Sequence, residues 1–171
     1  IFTPISTHLK KSETAYILQN CGAKLFIGSH ALLEVARQVR DEAVGVNHFY
    51  MVGGIIEGYE PWEEAVDFQP ATPIADESNG VPMLYSSGTT GRPKGIRRVE
   101  TLDPVETINP LMAVLCQKMC GMTGDTIYLS PAPLYHAAPL RFNLMVGSLG
   151  GTSIIMEHFD AEHFLRLVEK H

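Results

Sequence analysis

Ten consecutive residues carry the strongest chemical signal in this sequence: Ser86-Ser87-Gly88-Thr89-Thr90-Gly91-Arg92-Pro93-Lys94-Gly95. Glycines let a backbone turn tightly and bring its N–H groups close to an anion. The hydroxyls of Ser86, Ser87, Thr89 and Thr90 add hydrogen-bonding groups, and Lys94 adds a positive charge. Such a combination suits a polyphosphate. It differs from the P-loop of ordinary NTPases, in which Lys follows the second Gly directly, because Arg92 and Pro93 separate Gly91 from Lys94. Pro93 also opposes a helix starting on the turn, since the residue before a proline avoids the α region. The competing reading is a solvent-exposed turn whose Gly, Ser and Thr only reverse the chain.

Other groups offer less. Ser87 with His136 suggests a nucleophile and base, but the hydrolase elbow needs Gly-x-Ser-x-Gly and Ser87 lacks the preceding glycine. Cys116 and Cys120 share a helix face, and His158 and His163 flank a helix start. Neither pair has further ligands at convincing spacing, so they read as buried thiols and polar surface, and no residue is assigned to a metal. Arg97 and Arg98 are adjacent in a strand and point to opposite faces, so at most one strengthens the positive field of the turn. Trp62 and the tyrosines show no stacking pattern for bases.

The elements that must position the turn alternate short β-rich runs with amphipathic helical ones, the pattern of an α/β fold with a predominantly parallel sheet and flanking helices. Ser12 to Asn20 predicts a helix with Ala15, Leu18 and Cys21 on one side and Gly22 as its stop. Lys24 to Gly28 is a strand, Ser29 caps a helix carrying Leu32, Ala36 and Val39 inward, and Val46 to Val52 is the next strand. Gly53 to Val81 reads as connection, with a short helix whose first residue is Pro61.

Residues 82–99 form a strand–loop–strand, Pro82 to Ser86 entering the turn and Gly95 to Val99 leaving it. Asn109 to Cys120 predicts a helix with Leu111, Val114, Leu115 and Met119 inward. Thr126 to Leu129 is a strand, Pro131 to His136 a stiff loop, Ala137 to Leu149 an apolar helix and Thr152 to Met156 a strand. Asp160 caps the last helix, with Phe159 and Phe164 placed as a hydrophobic staple.

The 171 residues carry 13 Lys and Arg against 19 Asp and Glu, and a net charge of -6 argues against a general nucleic-acid binder. Three cysteines are too few for a disulfide scaffold and fit a reducing compartment, with the cytoplasm as the expected location. No run approaches the apolar length of a membrane-spanning helix. The opening Ile1-Phe2-Thr3-Pro4 has no initiator Met and no signal-like character, and Leu165 to His171 read as the interior of a helix. The chain is therefore expected to be a piece of a longer protein, able to self-associate through a face left uncovered.

Tyr85 to Gly95 closely resembles the phosphate-binding signature of the adenylate-forming (AMP-binding) superfamily, which includes acyl-CoA synthetases, luciferases and peptide-synthetase adenylation domains. Tyr128-Leu129-Ser130-Pro131-Ala132-Pro133-Leu134-Tyr135-His136 resembles the next family motif, and Gly150-Gly151-Thr152 followed by Phe159-Asp160 is also similar. The resemblance covers residues 1–171 as part of the family's large N-terminal domain.

The resemblance implies a ligase of the fatty-acid or aryl-acid CoA type. A carboxylate attacks the α-phosphate of ATP, pyrophosphate leaves, and the acyl-adenylate passes to the thiol of coenzyme A, with Mg2+ accompanying the nucleotide. It assigns Ser86, Ser87, Gly88, Thr89, Thr90, Gly91 and Lys94 to the β- and γ-phosphates, Lys94 also as the cation that stabilises departing pyrophosphate. It makes His136 a residue that shapes the pocket or orients the carboxylate, since a carboxylate needs no deprotonation near neutral pH. The family's adenine-binding, acidic Mg2+, ribose-binding and C-terminal lysine motifs match no position here, so the piece alone is expected to be inactive. The alternatives are a non-enzymatic α/β scaffold or interaction module that keeps this fold, and an unrelated nucleotide hydrolase, disfavoured by the missing Gly-Lys-Ser/Thr order.

Overall fold

A computed structural model describes residues 1–86, 92–100 and 102–171. These form two units, Ile1–Glu77 with Val81–Val99, and Ser78–Gly80 with Glu100–His171.

The first unit begins with α1 (Lys11–Cys21), which ends where expected: Gly22 adopts a left-handed φ of 67°, and the N–H groups of Gly22 and Ala23 donate to the carbonyls of Gln19 and Leu18. Its buried face is Thr14, Ile17 and Leu18, whereas Ala15 and Cys21 are only half-buried. The true stripe includes a threonine, which an apolar pattern passes over.

β1 (Leu25–Ser29) and β2 (His48–Val52) pair in parallel, Leu25 opposite His48 through Ser29 opposite Val52. The connection runs through a 3-10 turn, His30–Leu32, into α2 (Leu33–Glu42). Ser29 Oγ accepts from the Ala31 N–H at 3.3 Å, the expected cap. The tighter 3-10 turn shifts the phase of α2. Leu32, expected inside, is exposed, while Leu33 packs against the core and Ala36 and Val39 are buried.

A two-residue strand, β3 (Glu60–Pro61), extends the sheet parallel to β2 and leads into α3 (Trp62–Asp67). Pro61 therefore precedes the helix instead of being its first residue. Phe49, Met51, Ile56, Tyr59 and Ala36 make the core, with Phe49 and Tyr59 rings edge to face at 5.4 Å. The unit's last pair, β4 (Leu84–Ser86) and β5 (Lys94–Ile96), is antiparallel.

In the second unit, Asn109 Oδ1 accepts from the N–H groups of Leu111 at 3.0 Å and Met112 at 3.2 Å and so starts α4 (Pro110–Ala113). That helix runs into a π-helical segment, Val114–Met119. The wider turn breaks the 3.6-residue phase. Leu111, Val114 and Met119, expected inward, are exposed; Leu115 is half-buried and Cys116 fully buried. β6 (Ile127–Ser130), α5 (Ala137–Ser148) and β7 (Thr152–Ile155) form a parallel β-α-β unit. Asp160 Oδ1 accepts from the His163 N–H at 2.7 Å to cap α6 (Ala161–Lys170), with Phe159 and Phe164 rings 6.2 Å apart. The chain is an α/β fold: among the described residues, β1–β2 and β6–β7 are parallel pairs joined through helices, β2–β3 is parallel without one, and β4–β5 is antiparallel.

Candidate functional site

β4 and β5 pair Leu84 with Ile96, Tyr85 with Gly95 and Ser86 with Lys94. Ser86 and Lys94 are thus the last paired residues, directly opposite each other where the glycine-rich turn begins and ends, with their side chains on one face. Both are exposed, and Lys94 makes no ion pair with a described residue. Tyr85 and Gly95 occupy the opposite face. Ser87, Gly88, Thr89, Thr90 and Gly91, expected to cradle phosphate, lie outside the described residues.

Three things fix this pair. On its entry side the lead-in bridges the start of the chain: the Phe2 N–H donates to the Val81 carbonyl at 3.1 Å, and the Met83 N–H to the Phe2 carbonyl at 2.9 Å. On the inner face Tyr85 Oη donates to Asn20 Oδ1 of α1 at 2.6 Å. Burial pushes the Tyr85 phenol up to about 12, with the neighbouring Cys21 and Tyr16 adding to the shift. Across from Tyr85 only a glycine fits, because a Cβ on Gly95 would lie 2.8 Å from Tyr85 Cζ and 2.4 Å from Met83 Cε.

At the other end of the turn, the Arg92 guanidinium lies 5.2 Å over the Tyr16 ring, beside an open groove of about 480 Å3 lined in part by Glu13, Gln19 and Glu42. The sequence pattern assigns Arg92 no role. A cation two residues before Lys94 is visible in the sequence, but its partner 76 positions away is not.

His136 belongs to the second unit. It is exposed and immediately precedes α5, its N–H donating to the Pro133 carbonyl at 3.2 Å and its ring 4.6 Å from that of Tyr135. Nearby in sequence, Ser130 at the end of β6 is fully buried and accepts from Asn143 Nδ2 of α5 at 2.8 Å. The same amide nitrogen donates to the Pro139 carbonyl at 2.7 Å. Sequence reasoning misses this pair too, and its one signal is an amide within a largely apolar helix. No group of three or more His, Cys, Asp or Glu among the described residues is arranged to hold a metal. No helix among them is long and apolar enough to cross a membrane.

Hydroxyl and ammonium at the two ends of a glycine-rich turn define a candidate anion site, and comparison with known proteins gives it a family. The chain belongs to the AMP-binding enzyme family, whose model matches residues 1–171. It is 28% identical over 182 residues to a crotonobetaine/carnitine–CoA ligase of Citrobacter koseri, an alignment covering 100% of this chain and 34% of that protein. The chain thus spans about a third of the length of the curated relatives it matches.

Among solved structures it is similar to a Rhodopseudomonas palustris CGA009 protein, provisionally described as a long-chain-fatty-acid CoA ligase. The TM-score is 0.79 at 22% identity, covering 100% of this chain and 42% of that one. The anthranilate CoA ligase AuaEII, solved in complex with anthranoyl-AMP, matches at a TM-score of 0.72 and 24% identity, covering 97% of this chain and 32% of that one. These likenesses establish the fold of adenylate-forming enzymes for this chain.

Proposed function

We propose that this chain is the part of an AMP-forming acid–thiol ligase that holds the β- and γ-phosphates of ATP and borders the carboxylate pocket. The observation that carries the reading is the antiparallel pairing that fixes Ser86 opposite Lys94 at the mouth of the glycine-rich turn. Residues 82–99 are the phosphate-binding strand–loop–strand. Ser86 and Lys94, together with Ser87 to Gly91, contact the phosphates.

In the first half-reaction a carboxylate oxygen of the substrate bonds to the α-phosphorus and the bond to pyrophosphate breaks. Negative charge grows on the leaving group, so a cation and oriented hydroxyls stabilise that state more than the bound ATP. Lys94 is exposed and free of ion pairs with described residues, which leaves its charge available for this task. His136 borders the acyl carboxylate and orients it, with no proton to remove. In the second half-reaction the coenzyme A thiolate takes the acyl group and AMP departs. No group of three or more His, Cys, Asp or Glu among the described residues is arranged to hold Mg2+, which would arrive with the nucleotide and neutralise phosphate charge.

The substrate class we assign is a fatty or aryl carboxylic acid, supported by the resemblance of Pro133-Leu134-Tyr135-His136 to the CoA-ligase form of its motif. Cys21, Cys116 and Cys120 are unpaired, which supports a cytoplasmic site of action. The 171 residues alone are inactive on this account, because catalytic alignment tolerates a misplacement of only about 1 Å before losing on the order of a hundredfold in rate. The test is product analysis on the full-length protein with ATP, coenzyme A and a panel of carboxylic acids. AMP and pyrophosphate formed only when an acid is present support the ligase. ADP with inorganic phosphate, or no turnover together with failure to bind ATP, overturns it in favour of a hydrolase or a scaffold.

A further inference from the structure

α1 presents Tyr16 and Asn20 four residues apart, on one face and one turn from each other. Asn20 takes the entry strand of the glycine-rich turn through the 2.6 Å bond from Tyr85 Oη, and Tyr16 takes its exit through the ring beneath Arg92. The two contacts bracket Ser86 to Gly91 in sequence. We infer that α1 is a clamp for the phosphate turn, with Tyr16 and Asn20 as positioning residues and Arg92 as an anchor, not a phosphate ligand. The inference rests on the phosphate-binding role proposed above for that turn.

Three features favour this assignment. The Arg92 guanidinium is engaged by an aromatic face, and such contacts are attractive within about 6 Å of the ring centroid. Pro93 fixes its own φ and disfavours the α region for Arg92, so the directions in which Arg92 leaves the chain are narrowed by the next residue. The acidic residues lining the groove beside it are already engaged: Glu13 accepts from the Lys10 N–H at 2.9 Å, and Glu42 pairs with Lys11 at 3.1 Å. Among the described residues, Tyr16 is therefore the partner that the structure gives Arg92. Holding Arg92 and Tyr85 to the same helix also sets Lys94, two residues after Arg92 and one pair along from Tyr85 and Gly95.

The experiment is hydrogen–deuterium exchange of the amides of residues 84–86 and 92–96 in the purified chain, with pyrophosphate exchange in the full-length protein as the second readout. Tyr16→Leu and Arg92→Leu are each expected to speed amide exchange in these stretches by about two- to fivefold, the factor that an exposed cation–π contact supplies. Tyr16→Phe, which keeps the ring, is expected to restore protection. The Tyr16→Leu/Arg92→Leu double variant should be no worse than either single one, because the two act as a unit.

In the full-length protein the same leucine variants should lower kcat of pyrophosphate exchange more than they raise the KM for MgATP. Unchanged protection in both leucine variants overturns the clamp. Additive losses in the double variant also overturn it, and Arg92→Leu raising KM while Tyr16→Leu is silent overturns it and makes Arg92 a phosphate contact. Failure of the underlying phosphate-binding reading shows separately, as pyrophosphate exchange indifferent to Lys94→Ala while the amide-protection results stand.

Discussion

Replacing Gly95 by alanine tests the geometry that sets Lys94 without invoking any ligand. The added Cβ would meet Met83 Cε at 2.4 Å, Tyr85 Cζ at 2.8 Å and Tyr85 Oη at 3.0 Å. Met83 can swing its terminal methyl aside, although it is buried and has little room. Tyr85 cannot retreat so easily, because its hydroxyl is held by Asn20 at 2.6 Å. Relief requires the ring to move by some tenths of an ångström, which stretches that bond, or β5 to shift away from β4.

Overpacking of this kind costs about 1–3 kcal/mol. The assay is urea denaturation of the purified chain followed by circular dichroism, comparing midpoints at constant slope. A Tyr85→Leu background removes the contacts at 2.8 and 3.0 Å and leaves only the one to the flexible Met83 methyl, so the Gly95→Ala penalty should shrink by about 1 kcal/mol, a coupling expected only for residues in contact. A Gly95→Ala chain within about 0.5 kcal/mol of the parent, with no coupling to Tyr85, would refute the pairing of Tyr85 with Gly95 and with it the placement of Lys94 opposite Ser86.

Asp160→Ala removes the side-chain cap of α6 and is expected to cost about 1 kcal/mol, read from the same denaturation curves, with Asp160→Asn nearly neutral. Ser130→Ala takes from the half-buried Asn143 amide one of its two acceptors, leaving the Pro139 carbonyl, and is expected to destabilise by about 1 kcal/mol by the same measurement. Burial pushes the Tyr59 phenol up to about 12, with Asp41 adding and Arg40 opposing. Between pH 10 and 12 the unfolded chain loses a proton that the folded chain keeps, so stability is full below pH 10 and falls as pH rises through this window. Midpoints measured across that range should fall less steeply for Tyr59→Phe, which cannot titrate.

Elements set by local chemistry were readable in the sequence. Ser29, Asp160 and Gly22 cap or stop helices through groups that lie within a few residues, so their spacing alone suffices. The β-α-β unit of Ile127 to Ile155 follows from alternation of strand-like and helical runs. What was illegible depended on phase or on distant partners. Leu32, Leu111, Val114 and Met119 were misplaced because a 3-10 turn and a π-helical stretch break the 3.6-residue period on which inward faces are judged.

The ends of the candidate site were legible because Ser86 and Lys94 sit in a short motif. The Tyr16–Arg92 and Asn20–Tyr85 contacts were not, since pairs more than sixty positions apart leave no periodic trace. β3 was missed because two residues within a Gly- and Pro-rich connection are too few to show alternation.

The account stands most directly on carboxylate-dependent exchange of labelled pyrophosphate into ATP, measured on the full-length protein and on its Lys94→Ala variant, with circular dichroism showing both folded. It predicts exchange that requires a carboxylic acid and falls by roughly a hundredfold or more in the variant, the scale of losing one stabilising group at a developing charge. Exchange without an acid, or exchange that Lys94→Ala leaves intact, would contradict it.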